Sequence, residues 1–274
     1  LAGSWREILS HGRPLPAAAR LLGEACVAAA LFTGHVKIDG RLSIQLRSQS
    51  TLRTLFAECT AAGTLRGIAQ VEDGHDAPTD LSQLGDDALL AITIENPGLD
   101  PREPQRYQSL VALQGNGLDE AFESYFRHSE QLPTRLLLVA DGEHAAGLLL
   151  QKLPGDAGDT DGWVRAGALF DTLERDELLA TDAPTLLHRL FHEEHPELVG
   201  EKPLRFACSC SRERVAAMLV SLGAGEAGAA VEAGDGEARV RCEFCGQEYC
   251  FDGDQVAGLF RDAAAELPAA PHLH

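Results

Sequence analysis

The stretch that decides the fold of this chain lies near its C-terminus and reads Cys208-Ser209-Cys210, then 31 residues, then Cys242-Glu243-Phe244-Cys245. Two close pairs of cysteines are typical of a zinc site, because Zn²⁺ takes four thiolates in a tetrahedron at about 2.3 Å and a short spacing lets each turn supply two. Gly246 follows the second pair, where a tight turn favours a residue that tolerates positive φ. The sequence therefore predicts one Zn²⁺ bound by Cys208, Cys210, Cys242 and Cys245.

Other interpretations of these thiols stay open on the residues alone. A CxxC pair is also the dithiol of thioredoxin-type enzymes, but there it begins a helix after a strand, whereas here a second cysteine pair stands nearby. A purely structural zinc fits the same spacing, and four unrelated buried cysteines are the remaining option. Cys250 follows the second pair closely and is interpreted as a packing residue, a competing ligand or a disulfide partner.

The remaining cysteines and the histidines are interpreted as structural. Cys26 and Cys59 lie in apolar helix and strand patterns, where a free thiol behaves as a small hydrophobic side chain. His188 and His192 are spaced i, i+4, but the zinc-protease pattern would need its second histidine where the chain has Pro196. A solvated helix face explains these histidines better than a metal site does. The sequence contains no P-loop motif, so nothing in it indicates ATP use.

Composition sets the outer bounds of the fold. With 274 residues, 45 % of them hydrophobic, the chain has room for one large core and a small module. The sequence predicts no apolar run near the ~18 residues that a membrane span needs, and no signal peptide is visible. Leu1 is not an initiator Met, which suggests trimming or processing. Seven cysteines, an odd number, do not indicate a secreted disulfide framework, so a reducing cytosol is predicted.

The charge of the chain argues against nucleic acid as a partner. The formal net charge is −19, and residues 208–274 alone contain five Arg and no Lys against eleven acidic residues. Four thiolates on one Zn²⁺ would add two further negative charges. Such a surface repels phosphate backbones, so a zinc ribbon for DNA or RNA is not expected.

Residues 1–154 are predicted to form a mixed α/β core, which makes the chain α+β as a whole. Leu15–Phe32 is rich in Ala and Leu and predicts a mostly buried helix. In Val36–Leu46, apolar residues alternate on both sides of Asp39-Gly40, which predicts a two-residue hairpin. The other elements predicted here are strands at Leu52–Glu58, Thr64–Val71, Ala88–Ile94 and Tyr107–Leu113, an amphipathic helix from Leu118 that stops before Pro133, and a hairpin of Leu136–Val139 with Ala146–Leu150.

Residues 155–207 are predicted to form a helical linker docked on the core. The polar, acidic stretch 154–162 marks the change of composition. Short helices follow, and their apolar stripes need a surface because helices of this length are marginal alone. These stripes are predicted to consist of Trp163, Ala166, Phe170 and Leu173, and of Leu186, Leu187, Leu190 and Phe191.

Residues 208–274 are predicted to form a small zinc-binding domain. Ser211 is expected to cap a helix that Gly223 ends. The apolar face of this helix is predicted to consist of Val215, Met218, Leu219 and Leu222. Gly223–Gly236, rich in Gly, Ala and Glu, is predicted to be loose.

At the cysteines and at other stretches the chain resembles the heat-shock protein 33 family of redox-regulated holdase chaperones. The Ser129–Thr134 run and the CxC/CxxC combination are the specific features, and the others support them. The matching stretches, which span nearly the whole chain in order, are Lys37-Ile38-Asp39-Gly40, Tyr125-Phe126-Arg127-His128-Ser129-Glu130-Gln131-Leu132-Pro133-Thr134-Arg135, Leu187-His188-Arg189-Leu190-Phe191-His192-Glu193-Glu194, Cys208-Ser209-Cys210-Ser211-Arg212-Glu213-Arg214 and Cys242-Glu243-Phe244-Cys245-Gly246.

The resemblance implies an N-terminal chaperone core, a linker wrapped on it and a C-terminal zinc switch that is nearly inactive when reduced. It implies that peroxide or hypochlorite converts the thiolates to two redox-active disulfides, Cys208–Cys210 and Cys242–Cys245, with loss of zinc. The switch and linker would then unfold and expose apolar surface to unfolding client proteins. This activity needs no ATP and is not enzymatic, and the oxidised form tends to be a homodimer.

The family also usually has an additional N-terminal segment before the position of Leu1, whose absence could remove an edge strand and leave the sheet open or swapped. The residues alone leave two other classes of function open. One is a structural-zinc adaptor that binds proteins constitutively, and the other is a thiol oxidoreductase. Zinc release coupled to a gain of chaperone activity would separate the first class from the family function.

Overall fold

The computed structural model describes residues 1–12, 14–35, 38–98, 100, 103–155 and 159–266, and the chain divides into two compact units, Leu1–Ala207 and Cys208–His274. The helices of the first unit are α1 (Ala2–Gly12), α2 (Pro16–His35), α3 (Leu118–His128), α4 (Gly162–Phe170), α5 (Arg175–Ala180) and α6 (Ala183–Phe191). Its strands are β1 (Arg41–Arg47), β2 (Leu52–Thr60), β3 (Thr64–Val71), β4 (Leu89–Asn96), β5 (Gln105–Val111), β6 (Thr134–Ala140), β7 (Ala145–Gln151) and β8 (Arg205–Phe206).

The main sheet of the first unit is covered by α2. Within the described residues its strand order is β5-β4-β1-β2-β3-β8, antiparallel except for the β3–β8 pair. Strand β1 alternates buried and half-buried residues, so that Leu42, Ile44 and Leu46 face the core. Helix α2 is buried along most of its length, which explains why its sequence is apolar on nearly every side. The mixed α+β class predicted from the sequence is confirmed.

Helix α2 corrects one expectation about apolar runs. Pro16–His35 is long enough, with a mean hydropathy of 1.3 over 18 residues, to meet the length and composition required of a membrane span, whereas the sequence predicted no such run. In the fold, 72 % of that window is buried against the rest of the unit. The run of Ala and Leu therefore forms a central core helix. A buried helix of this kind meets the same length and hydropathy criteria as a membrane span.

The hairpin predicted around Asp39-Gly40 is wrong. Val36 and Lys37 lie outside the described residues, and Ile38 is not in a strand. Both edges of β1 are taken by β2 and β4, which leaves no edge for a preceding strand. The two residues instead lead into β1, where Asn96 Oδ1 accepts hydrogen bonds from the amides of Asp39 and Gly40 at 3.0 and 3.2 Å. Glycine is required there because a Cβ on Gly40 would lie 1.9 Å from the Glu95 carbonyl oxygen.

The hairpin of β6 and β7 forms as predicted and separates the core from the linker helices. Because side chains alternate along a strand, Leu136 and Leu138 join the main core while Val139 faces the other way. The apolar cluster on that second face joins Val139 to linker residues Leu173, Leu178 and Leu186. Of the two predicted stripes, Leu173, Leu186 and Leu190 thus pack against this hairpin. Helix α1 was not predicted, and it buries Trp5 completely in the core.

The second unit is a small helical domain around one two-stranded ribbon. Its elements are α7 (Arg212–Leu222), α8 (Ala224–Ala233), β9 (Glu237–Arg241), β10 (Glu248–Asp252) and α9 (Gly253–Glu266). Its buried hydrophobic cluster consists of Val215, Leu219, Ala227, Ala238, Phe251 and Val256.

One expectation for this unit is wrong. The segment predicted to be loose contains α8, because alanine is the strongest helix former and Ala227 is fully buried. On α7 only half of the predicted face is buried, since Met218 is 40 % and Leu222 55 % exposed. Val215 and Leu219 are one turn apart, and these two side chains pack α7 into the buried cluster of the unit.

Candidate metal centre

The first cysteine pair lies just before α7. Ser211 caps this helix as predicted, its side chain accepting a hydrogen bond from the Arg214 amide at 3.3 Å. Arg214 Nη1 in turn donates to the Ser209 carbonyl oxygen at 2.8 Å. The capped helix and this arginine together fix the short segment that presents Cys208 and Cys210.

The second pair occupies the turn between β9 and β10. The Gly246 amide donates to the Cys242 carbonyl at 2.8 Å, and the Cys242 amide donates to the Gln247 carbonyl at 2.9 Å. Gly246 has φ +69°, the left-handed conformation that the sequence predicted for the residue after Cys245. Backbone hydrogen bonds therefore shape the turn and direct both thiols to the same side.

All four predicted ligands converge on one point. Their sulfur atoms lie within 4.8 Å of one another, and contacts join the first pair to the second. Cys208 Sγ is 3.5 Å from Cys242 Sγ, and Cys210 Sγ is 3.4 Å from Cys245 Sγ. A tetrahedron with metal–sulfur bonds of about 2.3 Å has edges of about 3.8 Å, so these four sulfurs can hold a metal ion with little rearrangement.

The environment shifts the pKa values of Cys208, Cys210 and Cys245 in different directions. Burial raises the pKa of Cys208, and burial together with the neighbouring thiols raises the pKa of Cys245 to about 12. Burial also opposes ionisation of Cys210, but hydrogen bonds from Tyr249 and the other cysteines outweigh it and lower the pKa of Cys210 to about 7. Of these three thiols, Cys210 is therefore the one that ionises most readily near neutral pH.

Residues around the sulfurs had not been assigned to the centre from the sequence. Tyr249 Oη donates to Cys210 Sγ at 3.1 Å. Arg212 lies with its guanidinium carbon 4.1 Å from the centre of the Phe251 ring, and its Nη1 donates to the Cys250 carbonyl at 2.9 Å. The available signals were the alternation of Tyr249-Cys250-Phe251 in a strand and Arg212, two residues after the first pair.

The other cysteines stay apart from the sulfur cluster. Cys26 and Cys59 are completely buried in the core of the first unit, as predicted. Cys250 is exposed on β10, where it pairs across the ribbon with Arg239. Because neighbours alternate along a strand, Cys250 points away from the face on which Tyr249 reaches Cys210, and it is not among the four clustered sulfurs. Its interpretation as a competing ligand is therefore not supported.

The histidines of the linker are exposed, as predicted. The rings of His188 and His192 stand 5.3 Å apart on the solvent side of α6 and the turn that follows it. Over the part of the chain that the structure describes, the four cysteines are the one group of potential metal ligands close enough to hold an ion.

Comparisons with known proteins agree with this arrangement. The family model described as Hsp33 protein matches residues 1–252. The 33 kDa chaperonin of Ectopseudomonas mendocina is 44 % identical over 276 residues, covering 98 % of this chain and 92 % of the relative. The 33 kDa chaperonin of Azotobacter vinelandii is 44 % identical over 281 residues, covering 98 % of this chain and 91 % of the relative.

A solved structure has the same fold. The crystal structure of the 33 kDa chaperonin (heat shock protein 33 homolog) from Thermotoga maritima superposes with a TM-score of 0.74, covering 96 % of this chain and 91 % of that one. Its sequence identity to this chain is 20 %, so the likeness is evidence of the fold alone.

Proposed function

Because the chain belongs to the Hsp33 family, we propose that it is a holdase chaperone that works without ATP and is activated by oxidation of its four-cysteine centre. The observation that carries this proposal is the convergence of the Cys208, Cys210, Cys242 and Cys245 sulfurs within 4.8 Å. In the proposed organisation, residues 1–154 are the chaperone core, 155–207 the linker and 208–274 the redox switch.

We assign the ion as one Zn²⁺ per chain in the reduced state. A tetrahedral set of four cysteine sulfurs suits Zn²⁺, which has no redox chemistry of its own. When bound, Zn²⁺ holds the sulfurs as thiolates, the form that reacts with oxidants.

The cysteines themselves carry out the switching chemistry. One thiolate attacks hydrogen peroxide, so that an S–O bond forms, the O–O bond breaks and hydroxide leaves. A second thiolate then attacks the resulting sulfenic acid, displacing another hydroxide and forming a disulfide. Two peroxide molecules thus consume all four ligands, and we propose Cys208–Cys210 and Cys242–Cys245 as the products.

The small core of the second unit explains why loss of the ligands would unfold it. Among the described residues, its buried cluster contains six hydrophobic side chains, two of which are alanines. Structural zinc contributes an apparent ~10–16 kcal/mol in small zinc-binding peptides, more than such a core supplies. The fold of the switch is therefore expected to depend on its four thiolates.

The chain connects the switch to the linker through a weak element. Strand β8 is two residues long, and its hydrogen bonds to β3 are extended by the Ala207 amide, which donates to the Leu65 carbonyl at 3.2 Å. Cys208 follows directly. We propose that disorder in the switch spreads through β8 and frees the linker helices.

The surface offered to clients is the one that the linker covers. Withdrawal of Leu173, Leu178 and Leu186 would uncover Val139 and its apolar neighbours on the β6–β7 hairpin. Such a patch binds unfolded chains by burying apolar surface, which needs no nucleotide. We propose unfolding proteins as the partners, a homodimer as the oxidised form, and the cytosol as the location, with neither nucleic acid nor membrane bound.

The test follows light scattering of a thermally aggregating client protein. The protein is added either reduced and zinc-loaded or after peroxide treatment at raised temperature, with zinc release read by a chromogenic chelator. Suppression of aggregation only after oxidation, reversed by reductant and zinc, is expected. Equal suppression in both states would indicate a structural-zinc adaptor. Catalytic turnover of a disulfide substrate would indicate an oxidoreductase instead.

A further inference from the structure

We propose that Tyr249 is a positioning residue of the four-sulfur centre, whose hydroxyl restrains the reaction of Cys210 with oxidants. The inference rests on the proposed function and adds a residue that tunes its sensitivity. Tyr249 Oη donates to Cys210 Sγ at 3.1 Å, a normal length for a hydrogen bond to sulfur.

The hydroxyl is held in place by the strand that carries it. In β10, Tyr249 pairs with Val240 of β9, and its ring packs against the apolar cluster of the unit. Phe251 lies two residues on and is buried on the same face of the ribbon. The ring therefore serves the core, and only the hydroxyl reaches the sulfur, so the two roles can be separated by substitution.

Other sulfurs of the centre accept hydrogen bonds from the backbone. The Cys210 amide donates to Cys208, and the Gln247 amide donates to Cys245. Those donors belong to the turns themselves and are unaffected by a change of side chain. The donor to Cys210 is a side-chain hydroxyl, so one substitution removes it while leaving the turns intact.

A hydrogen bond to sulfur is strongest before the sulfur reacts. When the Cys210 thiolate attacks peroxide, its electron pair forms the S–O bond, the O–O bond breaks and hydroxide leaves. The sulfur then has less charge to offer the Tyr249 hydroxyl. The hydrogen bond therefore stabilises the starting state more than the transition state and slows the step.

The experiment compares Tyr249→Phe with wild type and with Tyr107→Phe, which removes a hydroxyl from a tyrosine that is 58 % exposed on β5 of the other unit. Each reduced, zinc-loaded protein is treated with hydrogen peroxide, and the rate of zinc release is read with a chromogenic chelator. The rate of release to the chelator without peroxide is measured in parallel. Alkylation and peptide mass spectrometry then give the rate at which Cys210 is oxidised.

Tyr249→Phe is expected to release zinc about three- to tenfold faster under peroxide, as expected for losing a charge-assisted hydrogen bond. Release without peroxide should stay at the wild-type rate, as should both rates for Tyr107→Phe. If both rates rise together in Tyr249→Phe, the residue is merely structural and the inference is overturned. An unchanged peroxide rate overturns it as well, while the proposed function stands. If wild type itself keeps its zinc under peroxide, the proposed function and the inference fall together.

Discussion

Glu24 is a carboxylate in the core helix α2 that is 2 % exposed. Arg20 Nη1 lies 3.0 Å from Glu24 Oε1, and Arg175 Nη1 of the linker lies 3.7 Å from the same oxygen. Burial raises the pKa of Glu24 to about 7, aided by the nearby Asp119 charge and opposed by the two arginines. At this position, therefore, the cost of burial exceeds the attraction of the two guanidinium groups.

The raised pKa of Glu24 predicts a pH dependence of stability. The folded state binds this proton more tightly than the unfolded state, so the stability from the protonated form is complete below about pH 4.5 and is lost as pH rises through about 7. Relative to Glu24→Gln, the unfolding free energy of wild type should fall by roughly 2–3 kcal/mol between pH 5 and pH 8. Urea unfolding of both proteins from pH 5 to pH 8 measures this difference in unfolding free energy. A constant difference between them would contradict the prediction.

At the scale of elements, local sequence patterns were enough to predict most of the strands and helices. Alternation predicted Thr64–Val71 with the bounds of β3, and an apolar face predicted the start of α3 at Leu118. The Asp39-Gly40 turn signal failed because pairing of β1 with two distant strands overrode it. Helix α8 was missed because its glycines hid a run of alanines that becomes stable only when Ala227 is buried.

The same distinction between local patterns and long-range contacts applies to the candidate site. The clustering of the Cys208, Cys210, Cys242 and Cys245 sulfurs and the turn at Gly246 were predictable because the spacing is local within each pair. The contact of Tyr249 with Cys210 depends on how β10 lies beside the first pair, 39 residues away in the chain. No local pattern contains that information.

The cap of α7 gives a prediction about an element next to the metal centre. Ser211→Ala removes the acceptor for the Arg214 amide and is expected to cost about 1 kcal/mol. Because Cys210 directly precedes this cap, zinc should pass to a competing chelator several-fold faster. Ser221→Ala, at an exposed serine near the end of the same helix, is the matched control and should match wild type. Equal rates for both variants would show that the cap does not support the centre.

At the scale of the whole molecule, one arginine joins the linker to three elements of the core. Arg175 of α5 donates to the Leu138 carbonyl of β6 at 3.2 Å and to Asp119 of α3 at 3.0 Å, beside the pair with Glu24. The apolar contacts of Leu178 lie next to it on the β6–β7 hairpin. Arg175 is thus the polar complement of the apolar docking surface, and it makes a convenient point at which to loosen the linker.

Arg175→Met is expected to weaken this attachment by about 1–2 kcal/mol, because it leaves Glu24 and Asp119 without one partner while the side chain is itself partly exposed. Thermolysin should then cleave within 155–207 several-fold faster in the reduced, zinc-loaded protein, with zinc retained. The control is Arg189→Met, whose partner Glu177 lies in the linker as well. If thermolysin cleaves Arg175→Met at the wild-type rate, apolar packing alone holds the linker on the core.

Close sulfur–sulfur contacts run between the two cysteine pairs, and this has a consequence for chain topology. A metal ion held by the four sulfurs would act as a cross-link that closes a ring from Cys208 to Cys242, a separation of 34 residues. The proposed disulfides join each cysteine to its own near neighbour, so oxidation exchanges one long-range cross-link for two local ones. Opening a ring of that size gains the chain roughly 4 kcal/mol of entropy. In the proposed cycle, reduction would restore the thiols but not the ring, so return to the resting state would be a refolding event in which the metal brings two distant segments together again.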